Sequence, residues 1–366
     1  HRFDVDVAGL FAHGIIQQAV DNADDRRIVR FGRCAALCAA GVAEPVLASL
    51  GGGGFLLAHP AGAEPMLIDF FVQTPRQRAA PETLDFAPVV ADFGDTTQEF
   101  HIGLGAMAVP GAIAGLFAIQ QRLCRLPAAD LLEPARRLAA DGVVINPFQQ
   151  RIARIVEPIL RARPEYFALH ASRRDPGRLA EAGERIPQPE LAEALETLAR
   201  DGPGMLHGGP WGERLAADCA ARGGHLRLDD LTGYQVVERA PLALDYRDAR
   251  LDLNPPPSIG GLLMGLTLDL LAAPGPPVVR FGTAEHRQRL ARAMHLTQQA
   301  RLDAAASRRE VADGLDPALT ARYRELMREG TRFRRGTTQI SIADADGNLA
   351  SLTLSNGEGT GYVLPG

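Results

Sequence analysis

The sequence predicts an α+β protein in which helices and antiparallel strands are both major components. Apolar residues recur at helical spacing over residues 7–20, 28–44, 112–122, 128–141 and 285–306, with Pro127 and Gly142 on either side of the fourth segment. Residues 66–71 are typical of a strand, and residues 337–355 are typical of a β-hairpin. Together these patterns indicate a mixed fold class.

Length and composition exclude several classes of function. The chain has 366 residues, 46% of them apolar, which is enough for one large domain or two ordinary ones. A net charge of −5, from 39 basic and 44 acidic residues, provides no electrostatic footprint for nucleic acid or an anionic membrane. Neither partner is expected.

The chain contains no lysine and four cysteines without paired Cys-x-x-Cys spacing. Lysine Schiff-base chemistry is therefore excluded, and neither a zinc knuckle nor a dithiol redox motif is indicated. Cys34 and Cys38 are expected to be packed small side chains. Residues 1–6 are polar and show no signal peptide, so the sequence leaves a cytoplasmic or a periplasmic location open.

Four consecutive glycines at residues 51–54 either cradle a phosphate or allow close approach of another backbone segment. The Gly-Lys-Ser or Gly-Lys-Thr ending of a phosphate-binding loop is missing, and residues 55–57 continue as a strand. Nucleotide binding is therefore disfavoured.

Three further segments carry structural expectations. Residues 79–108 are expected to be rich in loops, and His101 within them is expected to be a hydrogen-bonded core residue. Residues 145–200 are expected to form a solvated, arginine-rich outer layer of helices. A loop role is expected for His207.

The hairpin at 337–355 has a turn signal at its centre. Apolar and polar residues alternate along its first strand, and an Asp-Gly pair at 346–347 supplies a turn that tolerates positive φ. Positions equidistant from the turn face each other, which predicts Thr338 opposite Ser355 and Asp344 near Leu349.

The bond between Gly336 and Thr337 enters this hairpin after a basic segment without apolar periodicity. A threonine hydroxyl is a poor nucleophile at neutral pH, but its own α-amino group can act as the base once the preceding peptide bond has been cut. The alternative is that Thr337 and Thr338 are ordinary strand residues.

Thr337-Thr338, Ser341, Asp344 and the Asp-Gly-Asn at 346–348 resemble the start of the small subunit of the gamma-glutamyltranspeptidase family. Members of that family are N-terminal nucleophile (Ntn) hydrolases, each made as one precursor that cleaves itself before the first threonine. Four further stretches resemble the family in the same order: residues 50–55, 109–115, 228–234 and 254–261. The resemblance covers nearly the whole chain.

The resemblance implies an Ntn-hydrolase αββα sandwich, with two antiparallel sheets between helical layers. It implies a large-subunit-like region at residues 1–336 and the start of a small subunit at residues 337–366. The amine of Thr337 would be the base and its Oγ the nucleophile of acyl transfer or hydrolysis, through an acyl-enzyme ester. No metal or organic cofactor is implied. The expected partners are a small amide or γ-glutamyl substrate and the chain's own C-terminal fragment.

Two residues after the hairpin match family positions. Ser355 matches the hydroxyl that supports the nucleophile, with Thr353 as the competing assignment. Asn356 matches the asparagine that contacts the amino-acid head of the donor. Family members continue beyond this point with a donor-binding serine pair and a Gly-Gly oxyanion hole. Residues 337–366 are therefore expected to be either only part of the small subunit or the end of a truncated form that would lack transition-state stabilisation.

The sharpest departure from the family is Phe71. Members usually have an arginine there that binds the α-carboxylate of the glutamyl donor, and an aromatic ring cannot make that charge-assisted contact. Arg76 and Arg78 are the nearest replacements. Gln339 stands where most members have histidine.

Two alternatives to a standard enzyme of the family follow from these departures. One is an uncleaved, catalytically silent homologue that serves as a binding or structural subunit. The other is a threonine amidohydrolase with a non-glutamyl substrate.

Overall fold

The computed structural model describes residues 32–94, 97–272, 279–306, 338–343, 347–355 and 363–364. The chain divides into two compact units, one of His1–Leu56, Ile68–Val237 and Thr337–Gly366 and the other of Leu57–Leu67 and Glu238–Gly336. Of the helical region predicted at 7–44, only the part from Gly32 onward falls within these ranges.

The helices have recognisable start and stop residues. Proline occupies a first-turn position in several of them, Asn146 and Gln149 form a capping box, and Gly142 and Gly202 end two helices with φ of 88° and 78°. In chain order the helices are α1 Gly32–Ala43, α2 Ala112–Leu123, α3 Ala128–Asp141, α4 Pro147–Ile155, α5 Glu157–Leu160, α6 Pro164–His170, α7 Pro189–Asp201, α8 Pro210–Ala221, α9 Leu228–Thr232, α10 Gly260–Ala272 and α11 Ala284–Ala306.

The strands are β1 Gly53–His59, β2 Met66–Phe70, β3 Ala87–Asp92, β4 Thr97–Ile102, β5 Val143–Val144, β6 Arg185–Ile186, β7 Val237–Arg239, β8 Leu242–Tyr246, β9 Ala249–Leu253, β10 Thr338–Ala343 and β11 Leu349–Ser355. One sheet contains five strands in the order β10-β11-β1-β2-β7. Three antiparallel pairs, β3-β4, β5-β6 and β8-β9, form two-stranded sheets. Together with the helices, these strands confirm the predicted α+β class.

The antiparallel pair β10-β11 confirms the described part of the predicted hairpin, but the predicted register was wrong by one residue. Thr338 pairs with Leu354 rather than Ser355, and Leu349 pairs with Ala343 rather than Asp344. All later pairs are displaced in the same way, because each step of the ladder depends on the one before.

The innermost described pair, Ala343 with Leu349, encloses the five residues 344–348, an odd number. Gly347 has a φ of 84°, as the turn prediction requires. Asn348 is buried, with 5% of its surface exposed, and belongs to the connection instead of the ladder. A two-residue turn at 346–347 would leave an even number of residues between every pair, which is why the observed register differs by one.

The loop prediction for residues 79–108 was wrong, because the segment contains the pair β3-β4. Only one residue of β3 and two of β4 are buried, so the alternation that marks a strand is weak. His101 is exposed and stacks on Phe86 with ring centroids 4.6 Å apart. It is therefore not the core residue that the sequence predicted.

The outer-layer prediction for residues 145–200 was also wrong in part. Ile159 and Leu160 of α5 are buried in one hydrophobic cluster with Ala91 and Phe100 of the β3-β4 pair. The pattern was hard to see because α5 has only four residues, between arginine-containing segments.

Phe70, the last residue of β2, is fully buried against glycines. A Cβ atom on Gly115 of α2 would overlap the Phe70 ring, and one on Gly111 would overlap the Phe70 carbonyl oxygen. Gly54 of β1 lies in the same way against the carbonyl oxygen of Thr353 in β11. The glycine-rich stretch therefore serves close backbone approach, one of the two roles considered for it.

The second unit has its own small core. Gly261, near the start of α10, lies against the Asn254 carbonyl, so the stretch 254–261 packs a turn onto this helix. The hydroxyl oxygens of Thr267 and Thr297 are 2.8 Å apart. Helices α10 and α11 bury Leu266, Leu270, Ala293, Leu296 and Ala300. Within the described ranges, no helix is long and apolar enough to cross a membrane.

Candidate active site

Four strand ends of the five-stranded sheet meet at one place. β10 begins at Thr338, where β11 ends. Gly54 at the start of β1 lies against Thr353 near the end of β11, and Gly53 lies against the backbone of Phe70 at the end of β2. We call this place, formed by the start of β10, the end of β11, the start of β1 and the end of β2, the sheet end.

The width of the sheet end follows from the spacing of its strands. Neighbouring strands lie about 4.8 Å apart, so the four strand ends extend over roughly 15 Å. β10 and β1 are separated by one strand and are therefore about 10 Å apart.

The stretch at 109–115 is bonded to the glycine-rich stretch at 50–55. The backbone N–H groups of Gly111 and Ala112, at the start of α2, each donate to the Gly52 carbonyl at 3.0 Å. Val109 and Gln73 exchange two backbone hydrogen bonds of 2.8 and 3.2 Å. Both stretches are thereby fixed beside the segment that follows β2.

The stretch at 228–234 anchors that segment from the other side. The Tyr234 hydroxyl donates to the Phe71 carbonyl at 2.9 Å, and the Arg76 N–H donates to Asp230 Oδ1 at 3.0 Å. Two further bonds complete the connection, from the Ala79 N–H to His225 Nδ1 and from the Gln73 side-chain amide to the Gln235 carbonyl. The sequence assigned no role to this stretch, since partners about 150 residues apart leave no local pattern.

Four of the five stretches that carry the resemblance therefore converge on the sheet end, although they are dispersed over some 300 residues of sequence. The fifth, at 254–261, belongs to the second unit.

Phe71 lies directly after β2 and stacks on Phe55 of β1. The ring centroids are 5.2 Å apart with an interplanar angle of 13°. The Phe71 N–H donates to Asp69 Oδ1 at 3.0 Å, while its carbonyl accepts from Tyr234. Its backbone is thus held on both sides, while 44% of the residue's surface is exposed.

Arg76 and Arg78 are both exposed. The Arg76 guanidinium lies against Gly233, the residue that ends α9, where Nη2 would be 2.6 Å from an added Cβ. A cation at the carboxyl end of a helix is favourable. Binding of a substrate carboxylate by Arg76 stays a prediction.

Ser355 is the last residue of β11 and is half-buried. Leu352 and Leu354 are buried, so the intervening Thr353 and Ser355 share the opposite face of the strand. The two competing assignments for the supporting hydroxyl are therefore on one face, and Ser355 is the nearer to the strand end. Gly336, Thr337 and Asn356 lie outside the described residues.

Burial sets the protonation of two groups behind Phe71. The pKa of Tyr234 is raised well above its usual range, chiefly by burial and also by the charge of Asp69, so its hydroxyl remains a donor. Burial lowers the pKa of His207, whose ring stacks on Tyr234 with centroids 5.4 Å apart. His207 Nδ1 is 3.1 Å from the Leu231 carbonyl, and its buried Nε2 has no partner among the described residues.

His207 lies between a 3₁₀ turn and α8, so its predicted loop position is confirmed. Its ring nevertheless supports Tyr234, which the sequence did not predict. In the described part of the chain, no group of three or more histidine, cysteine or acidic side chains is placed to hold a metal ion.

The fold matches that of solved Ntn hydrolases. The gamma-glutamyltranspeptidase from Pseudomonas nitroreducens aligns with 92% of this chain and 97% of its own, with a TM-score of 0.68 and 22% sequence identity. This likeness confirms the predicted Ntn-hydrolase fold.

Sequence comparison identifies the family. The gamma-glutamyltranspeptidase family model matches residues 33–366, and the chain belongs to this family, as the sequence motifs predict. Glutathione hydrolase 3 of Arabidopsis thaliana is 27% identical over 334 residues, 86% of this chain and 50% of the relative. The Acylase ACY 1 proenzyme of Pseudomonas sp. strain V22 is 30% identical over 334 residues, 87% and 59% of the two chains. The chain thus spans between half and three-fifths of the length of these relatives.

Proposed function

We propose that this chain belongs to a self-cleaving acyl-transfer enzyme or amidohydrolase whose nucleophile is Thr337. Cleavage before Thr337 would give a large-subunit-like fragment of residues 1–336 and a second fragment that begins with residues 337–366. The two fragments would be each other's partner, and the substrate would be a small amide.

The observation that carries the proposal is the start of β10 at the sheet end. Thr337 is bonded to Thr338, and consecutive Cα atoms are only about 3.8 Å apart. The described ladder pairs Thr338 with Leu354, so one further step would bring position 337 opposite Ser355. The nucleophile, its supporting hydroxyl and the Phe71 segment would then share one site.

Self-cleavage needs no group beyond the chain and water. The Thr337 Oγ attacks the Gly336 carbonyl carbon, its proton passes to the departing Thr337 nitrogen, and the C–N bond breaks as a C–O ester bond forms. Water then hydrolyses the ester, giving a carboxylate at Gly336 and a free α-amine at Thr337. That amine is the base that the hydroxyl needs for turnover.

Turnover repeats this chemistry on an external amide. The Thr337 amine takes the Oγ proton as Oγ attacks the substrate carbonyl, and it returns a proton to the leaving amine. The acyl group is held as an ester until water or an acceptor amine releases it. Ser355 would hydrogen-bond the Thr337 hydroxyl or amine, and Asn356 would bind the head group of the substrate.

The names of the relatives support the same chemistry. Glutathione hydrolases and acylases both cleave amide bonds, and the Pseudomonas relative is named as a proenzyme. Because the chain covers only part of their length, the remaining parts of the site are assigned to sequence beyond these residues.

The test is intact-mass measurement of the full-length protein together with N-terminal sequencing of any fragment. We expect the wild type to yield a fragment that begins at Thr337, and Thr337→Ala to stay uncut. Thr338→Ala is the matched control, since it removes a neighbouring threonine hydroxyl and should still cleave. A single uncut wild-type chain after prolonged incubation would overturn the proposal in favour of a silent homologue.

A further inference from the structure

The stacked pair Phe55–Phe71 gives the sheet end a hydrophobic wall. The near-parallel rings, with centroids 5.2 Å apart, form an offset stack that shows an apolar face to any molecule at this end. Phe71 contributes an exposed ring, and Phe55 is half-buried beside it.

The wall lies within reach of the β10 strand that follows Thr337. Phe55 follows Gly54, which abuts the Thr353 carbonyl of β11, and β11 in turn pairs with β10. The two-strand separation of about 10 Å leaves room for an acyl group with a short spacer and one ring.

The wall is also rigid. The Phe71 backbone is bonded at its N–H to Asp69 and at its carbonyl to Tyr234, and its neighbour Phe70 is fully buried. A surface whose position is fixed before binding costs little conformational entropy when a ligand packs on it.

The charge beside the wall disfavours an acidic ligand. Asp69, buried at 9% exposure, is the ionisable side chain that contacts the Phe71 backbone. The nearest exposed arginine whose contact is defined, Arg76, has its guanidinium against Gly233 at the end of α9. A substrate carboxylate placed on the Phe71 ring would lose part of its hydration beside an acidic side chain.

We propose that the Phe55–Phe71 pair selects amide substrates whose acyl group is uncharged and apolar, with a terminal aromatic ring preferred over a γ-glutamyl head. This inference rests on the proposed threonine chemistry for its reacting bond. It adds the chemical class of the acyl group and the residues that recognise it.

The experiment compares phenylacetyl, 4-phenylbutyryl and γ-glutamyl p-nitroanilides on the full-length protein after self-cleavage has been confirmed by mass. We expect kcat/KM for the better aromatic substrate to exceed that for the γ-glutamyl substrate. Phe71→Ala should lower the aromatic value by about 10-fold to 100-fold, mainly through KM, and should lower the γ-glutamyl value by a much smaller factor.

Phe86→Ala is the matched control. Phe86 is exposed to a similar extent, 45% against 44%, and stacks on another ring, that of His101, but it precedes β3, which belongs to a different sheet. We expect it to change kcat/KM less than two-fold, on the order of the effect of an ordinary surface substitution.

The outcomes separate the two proposals. A cleaved, active wild type that prefers the γ-glutamyl substrate, or a Phe71→Ala variant that loses activity on all substrates equally, overturns the aromatic preference and leaves the threonine chemistry standing. If no cleavage occurs, the threonine chemistry fails, and binding of phenylacetamide to the uncut protein is measured by ligand-observed NMR. Binding that Phe71→Ala abolishes would still support the wall, and absence of binding would overturn it.

Discussion

The hydroxyl of Tyr234 donates a 2.9 Å hydrogen bond to the carbonyl oxygen of Phe71, 163 residues earlier in the chain. Tyr234→Phe removes this bond and keeps the ring. We expect a loss of about 0.5 to 1.5 kcal/mol in the free energy of unfolding, measured by urea titration. Tyr246→Phe, in β8 of the second unit, should leave this free energy unchanged. Equal stability of the two variants would mean that the bond does not hold the Phe71 segment.

The register of β10 and β11 predicts different effects for three polar residues. Ser355→Ala should slow both self-cleavage and turnover, since position 355 is the next rung beyond Thr338 and Leu354. Thr353 pairs with position 339, so Thr353→Ala should have less effect on self-cleavage and on turnover. Asn356→Ala should reduce kcat/KM more than the cleavage rate, because only the substrate carries a head group. Precursor half-life and kcat/KM measure both, and unaltered values for Ser355→Ala would remove that residue from the site.

Phe71 predicts weak turnover of γ-glutamyl anilides. A missing charged hydrogen bond to a carboxylate costs about 1.5 to 3 kcal/mol, or roughly one to two powers of ten in kcat/KM. Phe71→Arg should recover part of this activity, whereas Phe71→Leu, which adds no charge, should not. Efficient γ-glutamyl turnover by the wild type would instead assign carboxylate binding to another cation, with Arg76 and Arg78 as candidates.

Gly115 of α2 faces the Phe70 ring too closely for a side chain. Gly115→Ala should destabilise the protein by about 1 to 3 kcal/mol, because the overlap outweighs the better helix propensity of alanine. Gly41 of α1 is the control, since an added Cβ would meet its nearest neighbour at 3.7 Å, an ordinary contact. Gly41→Ala should raise stability by up to about 1 kcal/mol. Thermal unfolding of the two variants should therefore shift in opposite directions.

Glu44 and His170 line one small, mainly apolar cavity of about 50 Å³. Burial raises the pKa of Glu44 from 4.5 to about 7, against an opposing hydrogen bond from Gln149. Burial lowers the pKa of His170 from 6.5 to about 4. Both side chains are therefore neutral in the folded protein near pH 5.5, whereas both are charged in the unfolded chain.

The two shifts have opposite effects on stability. The stabilisation that comes from the raised pKa of Glu44 is fully present below pH 4.5 and is lost as pH rises to about 7. The stabilisation that comes from the lowered pKa of His170 is fully present above pH 6.5 and is lost as pH falls to about 4. Between pH 4.5 and 6.5 the folded and unfolded states hold the same number of protons on this pair, so the slopes offset each other.

Replacing either Glu44 or His170 should reveal the pH dependence of stability that the other residue causes. Glu44→Gln should give a free energy of unfolding that rises with pH between about 4.5 and 6.5, and His170→Gln one that falls over the same interval, each by at most about 1.4 kcal/mol per pH unit. Urea titrations at half-unit pH intervals measure both slopes. Variant profiles parallel to that of the wild type would contradict the assignment.

Helix boundaries followed closely from the sequence because their signals are local. Pro127 and Gly142 bracket α3 at the predicted residues, Ala128 to Asp141. The hairpin was found through its Asp-Gly pair, but that pair does not fix the length of the connection, and the register was therefore missed by one.

The site was only partly accessible to sequence reasoning. The motifs pointed to the family and to the sheet end, yet the link between Tyr234 and Phe71 joins positions with no shared periodicity. The β3-β4 pair was missed for a different reason. Most of its residues are exposed, so the hydrophobic contrast on which strand prediction depends is nearly absent.

The contact between Gly54 and the Thr353 carbonyl joins positions about 300 residues apart, so the order of synthesis matters. β1 is made early, and its partner β11 is made about 300 residues later. Until then β1 has an unpaired edge on that side, which is a site for aggregation and for chaperone binding. Under the proposed function, Thr337 would act only after this last pairing. If the chain cleaves itself before Thr337, a cleaved chain is one in which β11 has already paired with β1.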